Sequence, residues 1–155
     1  MARIDYYDDP DAPTANSLVP AASAVVVDEQ GRILLQRRRD NGLWALPGGG
    51  METGESIAQT AERETREETG FEVQAEYVIG VYSDPKHVFA YDDGEVRQEF
   101  NVCIACRLVG GTLAASDESH EVAWFTPEEI RDLPMHHRIR VRVLDFLACA
   151  RALTS

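Results

Sequence analysis

The sequence predicts an α+β protein in which a mixed sheet lies between helices, as an α/β/α sandwich. Two observations carry this prediction: short apolar runs alternate with turn residues, and segments rich in helix formers follow them. Along the chain the order is strands, helix, strands, helix. A chain of 155 residues suits one domain with a single core, which we expect to span residues 21–155. Residues 1–20, with three prolines, are predicted to form an N-terminal arm that packs on the body or on a partner subunit.

The domain is predicted to open with two strands and an irregular segment. Small and β-branched residues predict strands at 21–27 and 33–35, joined by a turn at 28–31. Residues 44–50 contain Pro47 and three glycines, so we predict no regular structure there.

A helix is predicted over 56–69, because this segment holds strong helix formers and neither glycine nor proline. Ser56 suits its N-cap, and Gly70 is positioned to end it. The remaining elements are predicted as a strand at 71–83, a turn at 92–94, one long strand at 96–109, a short strand at 122–125, a short helix at 127–133 and a terminal helix at 136–153.

The composition excludes several classes of function. A net charge of −12 argues against a nucleic-acid-binding protein, which would need a basic surface. No apolar run approaches the length of a membrane span, and the acidic N-terminus lacks a secretory signal, so we expect a cytoplasmic protein. The three cysteines are therefore expected to be reduced thiols. An acidic protein that acts on a phosphate compound would need a divalent cation at its site.

Three carboxylates on the predicted helix are candidate ligands for such a cation. Glu64, Glu67 and Glu68 stand at positions i, i+3 and i+4, which share one helix face. Clustered carboxylates repel one another unless a positive group lies between them, and their oxygens suit Mg²⁺ or Mn²⁺. The neighbouring face is small and apolar enough to bury against a sheet, and consists of Ile57, Ala58, Ala61 and Thr65. Taken alone, the acidic face is more typical of a solvated helix than of a metal site.

The residues around the helix narrow this choice. Gly49 is followed after five residues by Glu55, and after seven more by Arg63-Glu64; Glu67-Glu68 and Gly70-Phe71 come next. This spacing resembles the signature of the Nudix hydrolase family, including its MutT-like and ADP-ribose pyrophosphatase-like members. Every charged and glycine position matches across 23 of the 155 residues, and only Thr65 replaces the usual aliphatic residue.

The resemblance implies a Nudix fold with a loop–helix–loop metal site. It assigns Glu64, Glu67 and Glu68 as ligands of Mg²⁺, for which Mn²⁺ can substitute, with the carbonyl of Gly49 as a further ligand. The residues that it implies as catalytic or supporting are Glu64, Glu67, Arg63, Glu55, Gly48 and Gly70. The implied substrate is a nucleoside diphosphate linked to another group, and the implied assembly is a homodimer.

Candidates outside this signature are each open to a second interpretation. Glu118 and Glu121 are either a general base or extra metal ligand, or part of a solvated acidic loop. Arg37 is our choice among three consecutive arginines for binding a substrate phosphate.

Aromatic and sulfur-containing side chains form the second group of candidates. Four ring side chains either line a pocket for the base or sugar of a substrate or serve packing: Tyr82, His87, Phe89 and Tyr91. We predict substrate contacts for Tyr82 and His87. Cys103 and Cys106 point to opposite faces of a strand, which disfavours a zinc site. His136 and His137 are expected to form a solvated helix start.

Several functions are consistent with these residues. Hydrolysis of ADP-ribose or an ADP-sugar is favoured, and hydrolysis of normal or oxidised nucleoside triphosphates is the alternative within the same chemistry. Removal of 5′ pyrophosphate from RNA is disfavoured by the acidic charge. A non-catalytic nucleotide-binding domain is the alternative from another class, and it is disfavoured because all three glutamates are present.

Overall fold

A mixed sheet forms the centre of the molecule. The computed structural model describes residues 3–114, 116 and 119–154, and no helix among them is long and apolar enough to cross a membrane. The main strands are β2 (Ala21–Val27), β3 (Ile33–Arg38), β6 (Phe71–Tyr82), β9 (Asn101–Gly111) and β10 (Ser119–Phe125). Their spatial order is β10-β3-β2-β9-β6, with β2 and β9 parallel and the other neighbours antiparallel.

Helices cover both faces of this sheet, which confirms the α/β/α sandwich. Helix α1 (Ile57–Thr69) packs on one face, where Ala61 joins a buried cluster with Leu34 and Ile104. Helices α2 (Pro127–Ile130) and α3 (His137–Thr154) pack on the other, where their residues join a cluster with Leu35. Because side chains alternate along a strand, neighbouring residues of β3 belong to different cores.

A second, smaller sheet lies at one end of the first. It contains β1 (Arg3–Tyr7), β7 (His87–Tyr91) and β8 (Val96–Gln98), in the order β1-β7-β8. Residues 3–7 of the predicted arm therefore pair with the body of their own chain, through the antiparallel register of β1 on β7.

The prediction of one long strand over 96–109 is wrong, because the chain changes sheet within it. Strand β8 ends at Gln98 and β9 begins at Asn101. Between them Glu99 is 1% exposed and binds two arginines of α3, Arg138 and Arg142. The buried Glu99, which binds these two arginines, thus interrupts the strand that the apolar pattern predicts as continuous.

The prediction that residues 44–50 lack regular structure is also wrong. Strand β4 (Trp44–Ala45) pairs with β3, and β5 (Gly48–Gly50) pairs with β2. A Cβ on Gly48 would lie 2.4 Å from the Ala22 carbonyl oxygen, so only glycine allows this approach. Pro47 lies between β4 and β5, and its carbonyl accepts a hydrogen bond from the Ala24 N–H of β2, at 2.9 Å. The proline therefore joins this segment to the main sheet as an acceptor.

Candidate active site

Helix α1 begins and ends where the sequence predicts. The Ser56 hydroxyl accepts a hydrogen bond from the Gln59 N–H, and the Gln59 side chain accepts one from the Ser56 N–H. Gly70 ends the helix in the left-handed conformation, with φ of 82°. Ala61 and Thr65 are fully buried, which sets the rotation of the helix on the sheet and brings its acidic face to the glycine strand β5.

Arg63 connects the acidic residues of this region. Its guanidinium donates to both Glu55 carboxylate oxygens, at 2.9 and 2.8 Å, and to the Gly50 carbonyl at 3.0 Å. It also donates to Glu64 at 2.8 Å and to Glu67 at 3.2 Å. These bonds from Arg63, with one from the Glu52 N–H, lower the pKa of Glu55 to about 2. Arg63 and Glu55 thus form a fixed charged support between the loop and the helix.

The three predicted metal ligands lie at different depths. Glu68 is 7% exposed and accepts hydrogen bonds from the Gly48 N–H and the Gln36 amide. The Glu64 carboxylate lies against Gly49 so closely that a Cβ there would be 2.5 Å from its carboxyl carbon. The Glu67 side chain is 56% exposed. The structure therefore brings the helix and the glycine strand together around these carboxylates.

This donor set fits a hard divalent cation. Burial raises the pKa of Glu68 well above its usual value, and the adjacent Glu64 carboxyl raises it further. Two carboxyl groups held this close are stabilised by a cation between them, and oxygen ligands favour Mg²⁺ or Mn²⁺. Glycine at position 49 leaves backbone rather than a side chain beside the Glu64 oxygens.

Comparison with known proteins agrees with this geometry. The NUDIX domain family model matches residues 17–146, which include the whole of α1 and the glycine strand. This chain belongs to the Nudix hydrolase family. It is therefore a pyrophosphohydrolase, of a family that typically depends on divalent metal ions.

The relatives of this Nudix hydrolase differ in substrate. A MutT-like protein of Streptomyces ambofaciens is 38% identical over 82% of this chain and 75% of its own length. An ADP-ribose pyrophosphatase of Methanocaldococcus jannaschii is 30% identical over 72% of this chain, which spans 64% of that protein. A putative 8-oxo-dGTP diphosphatase of Bacillus subtilis is 34% identical over 68% of this chain, which spans 65% of it. A NUDIX hydrolase structure from Nitrosomonas europaea superposes with a TM-score of 0.67 at 23% identity, covering 85% of this chain and 90% of that one, and supports the fold.

A cleft opens on the side of the glycine strand away from the helix. Residues Gly48–Gly50 form one side of it, and the small sheet forms the other. We use the name aromatic wall for two rings of that sheet and the arginines that stack on them: Phe89 with Arg3, and Tyr91 with Arg97. The Arg3 guanidinium lies 4.3 Å from the Phe89 ring centre, and that of Arg97 lies 4.7 Å from the Tyr91 ring centre. The cleft has a volume of about 120 Å³.

Charged and imidazole groups line the inner end of the cleft. His87 is 3% exposed, with Nδ1 3.0 Å from Glu99 and Nε2 3.7 Å from Asp5. Burial alone would lower the pKa of His87, but its contacts with Asp5 and Glu99 raise it. The His136 ring stacks on His87, and burial together with this neighbour lowers the pKa of His136 to about 4.

Asp5, His87 and His136 also bring possible metal-ligating atoms within 4.8 Å of one another. His136 Nδ1 accepts the Arg138 N–H at 3.1 Å, so in the neutral ring the proton occupies the other nitrogen. His87 is favoured as a cation between two carboxylates. This group is therefore a poorer cation site than the carboxylates of α1.

Two of the other predicted residues lie away from helix α1. Arg37 makes an ion pair with Glu121 at 3.0 Å and lies over the Trp44 ring, at 6.0 Å. The alternation of β3 puts Gln36 toward α1 and Arg37 on the opposite face, and Glu121 is the cross-strand partner of Arg37. The structure thus does not bring Arg37 or Glu121 to the carboxylates. Glu118 lies outside the described residues.

The predicted aromatic residues divide between the cleft and the core. His87, Phe89 and Tyr91 line the cleft, whereas Tyr82 is 7% exposed and donates its hydroxyl hydrogen to Asp145 at 2.6 Å. Tyr82 is therefore a core residue, because it ends β6 beneath α3 rather than belonging to the small sheet. The expected solvated helix start is wrong for His136, which is half-buried and lines the cleft.

The prediction that Cys103 and Cys106 point to opposite faces of a strand is confirmed. Cys103 and Cys106 belong to the two different cores on opposite faces of the sheet, and all three cysteines are free thiols. Burial raises the pKa of Cys106 to about 12, so this thiol stays protonated.

Sequence reasoning missed Gln36 and Asp5. Gln36 directly follows the three apolar residues that begin β3. A polar residue that continues such a run is a signal that could have indicated a buried polar contact. Nothing in the sequence indicates that Asp5 reaches His87, because their contact depends on the pairing of β1 with β7.

Proposed function

We propose that this enzyme uses Mg²⁺ to cleave the diphosphate link of a nucleoside diphosphate joined to another group, with ADP-ribose or an ADP-sugar as its substrate. The observation that carries the proposal is the double role of Gly48–Gly50. On one side this strand contacts Glu64 and Glu68, and on the other it lines the cleft beside the aromatic wall. A substrate whose rings lie on the wall would have its diphosphate at the strand.

The residues of α1 have distinct roles in this proposal. Glu64, Glu67 and Glu68, with the Gly49 carbonyl, would hold the cation, while Arg63 and Glu55 keep the helix and loop in register. When bound, Mg²⁺ neutralises phosphate oxygens and lowers the pKa of water. Glu67 is the most exposed of the three carboxylates, so its free oxygen is our candidate to accept a proton from the attacking water.

The choice of ADP-ribose is supported by two observations. Phe89 and Tyr91 offer ring faces for a base, and the arginines stacked on them offer donors for phosphate and ribose oxygens. The relative from Methanocaldococcus jannaschii is an ADP-ribose pyrophosphatase. The relative named as an 8-oxo-dGTP diphosphatase favours a second candidate, hydrolysis of nucleoside triphosphates.

The first experiment is an activity assay with Mg²⁺ and a panel of nucleotides. ADP-ribose, ADP-sugars, dinucleoside polyphosphates, and normal and oxidised nucleoside triphosphates are incubated with the enzyme, and the products are separated by chromatography. We expect EDTA-sensitive release of AMP and ribose 5-phosphate from ADP-ribose. Release of a monophosphate and pyrophosphate from triphosphates would support the second candidate instead. No turnover by the folded protein would favour a nucleotide-binding module.

Substitutions in α1 test the site. We expect Glu67→Gln and Glu68→Gln each to lower kcat by about 10²- to 10⁴-fold, because they remove a proton acceptor or cation ligand. Glu76→Gln is the matched control, since it makes the same change of charge at an exposed residue. Glu76 lies on β6 and forms an ion pair with Arg107. Rates that stay at the wild-type level in both α1 variants would overturn the assignment.

We also propose a homodimer, as the family resemblance implies. Light scattering coupled to size-exclusion chromatography measures the mass directly. A mass near that of the 17.2 kDa chain would contradict the proposal.

A further inference from the structure

We propose that Arg97 is the residue that binds the substrate's diphosphate from the side of the glycine strand opposite the carboxylates. The inference rests on the proposed function and deepens it, since it assigns the phosphate contact to the small sheet instead of to Arg37. The ligand that it takes is a non-bridging oxygen of a diphosphate.

The position of Arg97 supports this role. A Cβ on Gly50 would lie 3.6 Å from Arg97 Nη1, so the guanidinium lies directly against the strand that carries the candidate metal site. The neighbouring residue of that strand, Gly49, touches the Glu64 carboxylate from its other side. A diphosphate that runs past the strand from the cleft toward α1 would therefore meet Arg97 on one side of the strand and the carboxylates of α1 on the other.

Arg97 is also held in place before any ligand binds. Its Nε donates to Glu95 at 2.8 Å, and the Ser17 hydroxyl donates to the same Glu95 oxygen at 2.8 Å. The guanidinium stacks on the Tyr91 ring. The backbone of Arg97 bridges to Ser17, where the family-matched part of the chain begins. Because the Arg97 guanidinium is held at Nε and on one face, its two terminal nitrogens are left to the cleft. Less side-chain entropy is then lost when a ligand binds.

Two other arginines near the glycine strand use terminal guanidinium nitrogens to bind carboxylates. Arg63 binds Glu55, Glu64 and Glu67, and Arg38 binds Asp40 through both Nε and Nη2. By contrast, the structure over residues 3–114, 116 and 119–154 gives Nη1 and Nη2 of Arg97 no hydrogen-bond acceptor, while 28% of the side chain remains exposed. In a chain of net charge −12, such a guanidinium beside the site is well suited to attract a diphosphate.

Steady-state kinetics with ADP-ribose and Mg²⁺ tests this assignment. Arg97→Ala should raise KM by about tenfold or more, since a hydrogen bond to a charged group is lost. Arg97→Lys should restore part of the affinity, because it keeps the charge without the planar fork. The dependence of KM on ionic strength should become shallower in Arg97→Ala and stay at the wild-type slope in Arg97→Lys. A purely structural role would not move this slope.

The matched control is Arg107→Ala, which removes the same charge from an exposed position on β9 that binds Gln74 and lies near Glu76. Its KM and salt dependence should equal those of the wild type. A KM for Arg97→Ala within twofold of the wild-type value, or equal changes in Arg97→Ala and Arg107→Ala, would overturn the proposal. Circular dichroism and thermal melting verify that the variants are folded.

A binding measurement separates this proposal from the proposed function. Inorganic pyrophosphate is titrated into wild type, Arg97→Ala and Arg107→Ala in EDTA, with calorimetric detection. Weaker binding by Arg97→Ala alone supports the diphosphate contact, even if the wild type hydrolyses no member of the substrate panel. Equal binding by all three proteins refutes it, whatever the activity. Loss of turnover in Glu67→Gln with an unchanged KM in Arg97→Ala would leave the proposed function standing and remove Arg97 from the site.

Discussion

The amide of Gln36 is the residue-scale feature that most directly affects the candidate metal site. Gln36 donates from β3 to the buried carboxylate of Glu68, while the Gly48 N–H donates to the other oxygen of that carboxylate. A carboxylate held at both oxygens has few rotamers left. Gln36 is thus a positioning residue, because it acts through Glu68.

Gln36→Leu is expected to weaken Mg²⁺ binding by about 10- to 100-fold, as removal of outer-shell partners of metal ligands does. The measurement is the Mg²⁺ concentration for half-maximal activity, together with Mn²⁺ binding followed by electron paramagnetic resonance. Gln74→Leu is the control, since Gln74 is exposed and its side chain accepts a hydrogen bond from Arg107 on the adjacent strand. Equal metal dependence in Gln36→Leu and the wild type would remove Gln36 from the site.

At the scale of elements, the end of α1 joins the carboxylate helix to β6. Gly70 has φ of 82°, and a Cβ there would lie 2.2 Å from the Thr112 carbonyl oxygen. Gly54, in the loop before the helix, has φ of 94°, but a Cβ at that position would meet no atom within 4 Å. Both glycines therefore have a left-handed backbone, but only at Gly70 would a side chain also clash with neighbouring atoms.

Gly54→Ala is expected to cost about 1 to 2 kcal/mol of unfolding free energy, from the left-handed backbone alone. Gly70→Ala should cost more, because the Cβ also displaces the chain at Thr112. Urea denaturation of both variants provides the comparison. Equal losses would mean that the segment at Thr112 moves freely and that only the backbone angle matters at Gly70.

At the scale of the whole molecule, one ionic network joins the small sheet, the main sheet and α3. Glu99 lies at its centre, with His87 at 3.0 Å, Arg138 at 2.8 Å and Arg142 at 3.0 Å. Burial alone would raise the pKa of Glu99, but hydrogen bonds from His87 and Arg138 and the charge of Arg142 lower it to about 2. Removal of the acid leaves buried positive groups without their partner.

Glu99→Gln is expected to lower the unfolding free energy at pH 7 by about 3 to 5 kcal/mol, the usual effect of breaking a buried ion pair. Because the pKa of Glu99 is lower in the folded protein, its stabilisation is complete above the unfolded pKa of 4.5 and is lost as pH falls toward 2. The difference between wild type and variant in urea midpoint should therefore narrow over this range. A constant difference from pH 7 to pH 2 would contradict the assigned pKa.

His87 gives the opposite dependence. Its pKa is raised in the folded protein, so its stabilisation is complete below the unfolded pKa of 6.5 and is lost as pH rises through the folded value. Wild-type stability should thus decline on both sides of the intermediate range. A histidine titration followed by NMR measures the folded pKa, and a value below 6.5 would contradict this account.

The parts of the protein that depend on spacing along the chain can be predicted without the structure. Helix α1, its caps and the common face of Glu64, Glu67 and Glu68 all follow from helical periodicity and from the left-handed backbone angle that Gly70 allows. The short apolar runs likewise predicted the layers of the sandwich, because a strand that is buried on both faces is apolar at consecutive positions, as β2 is.

Which distant residues meet depends on how the strands pair in three dimensions. Gln36 rather than Arg37 faces α1 because strand parity assigns neighbours to opposite faces, and Arg97 reaches Gly50 because the chain changes sheet at Glu99. Asp5 reaches His87 through the register of β1 on β7, although the two residues are remote in sequence. Such contacts depend on the pairing of distant strands, and local propensity contains no information about that pairing.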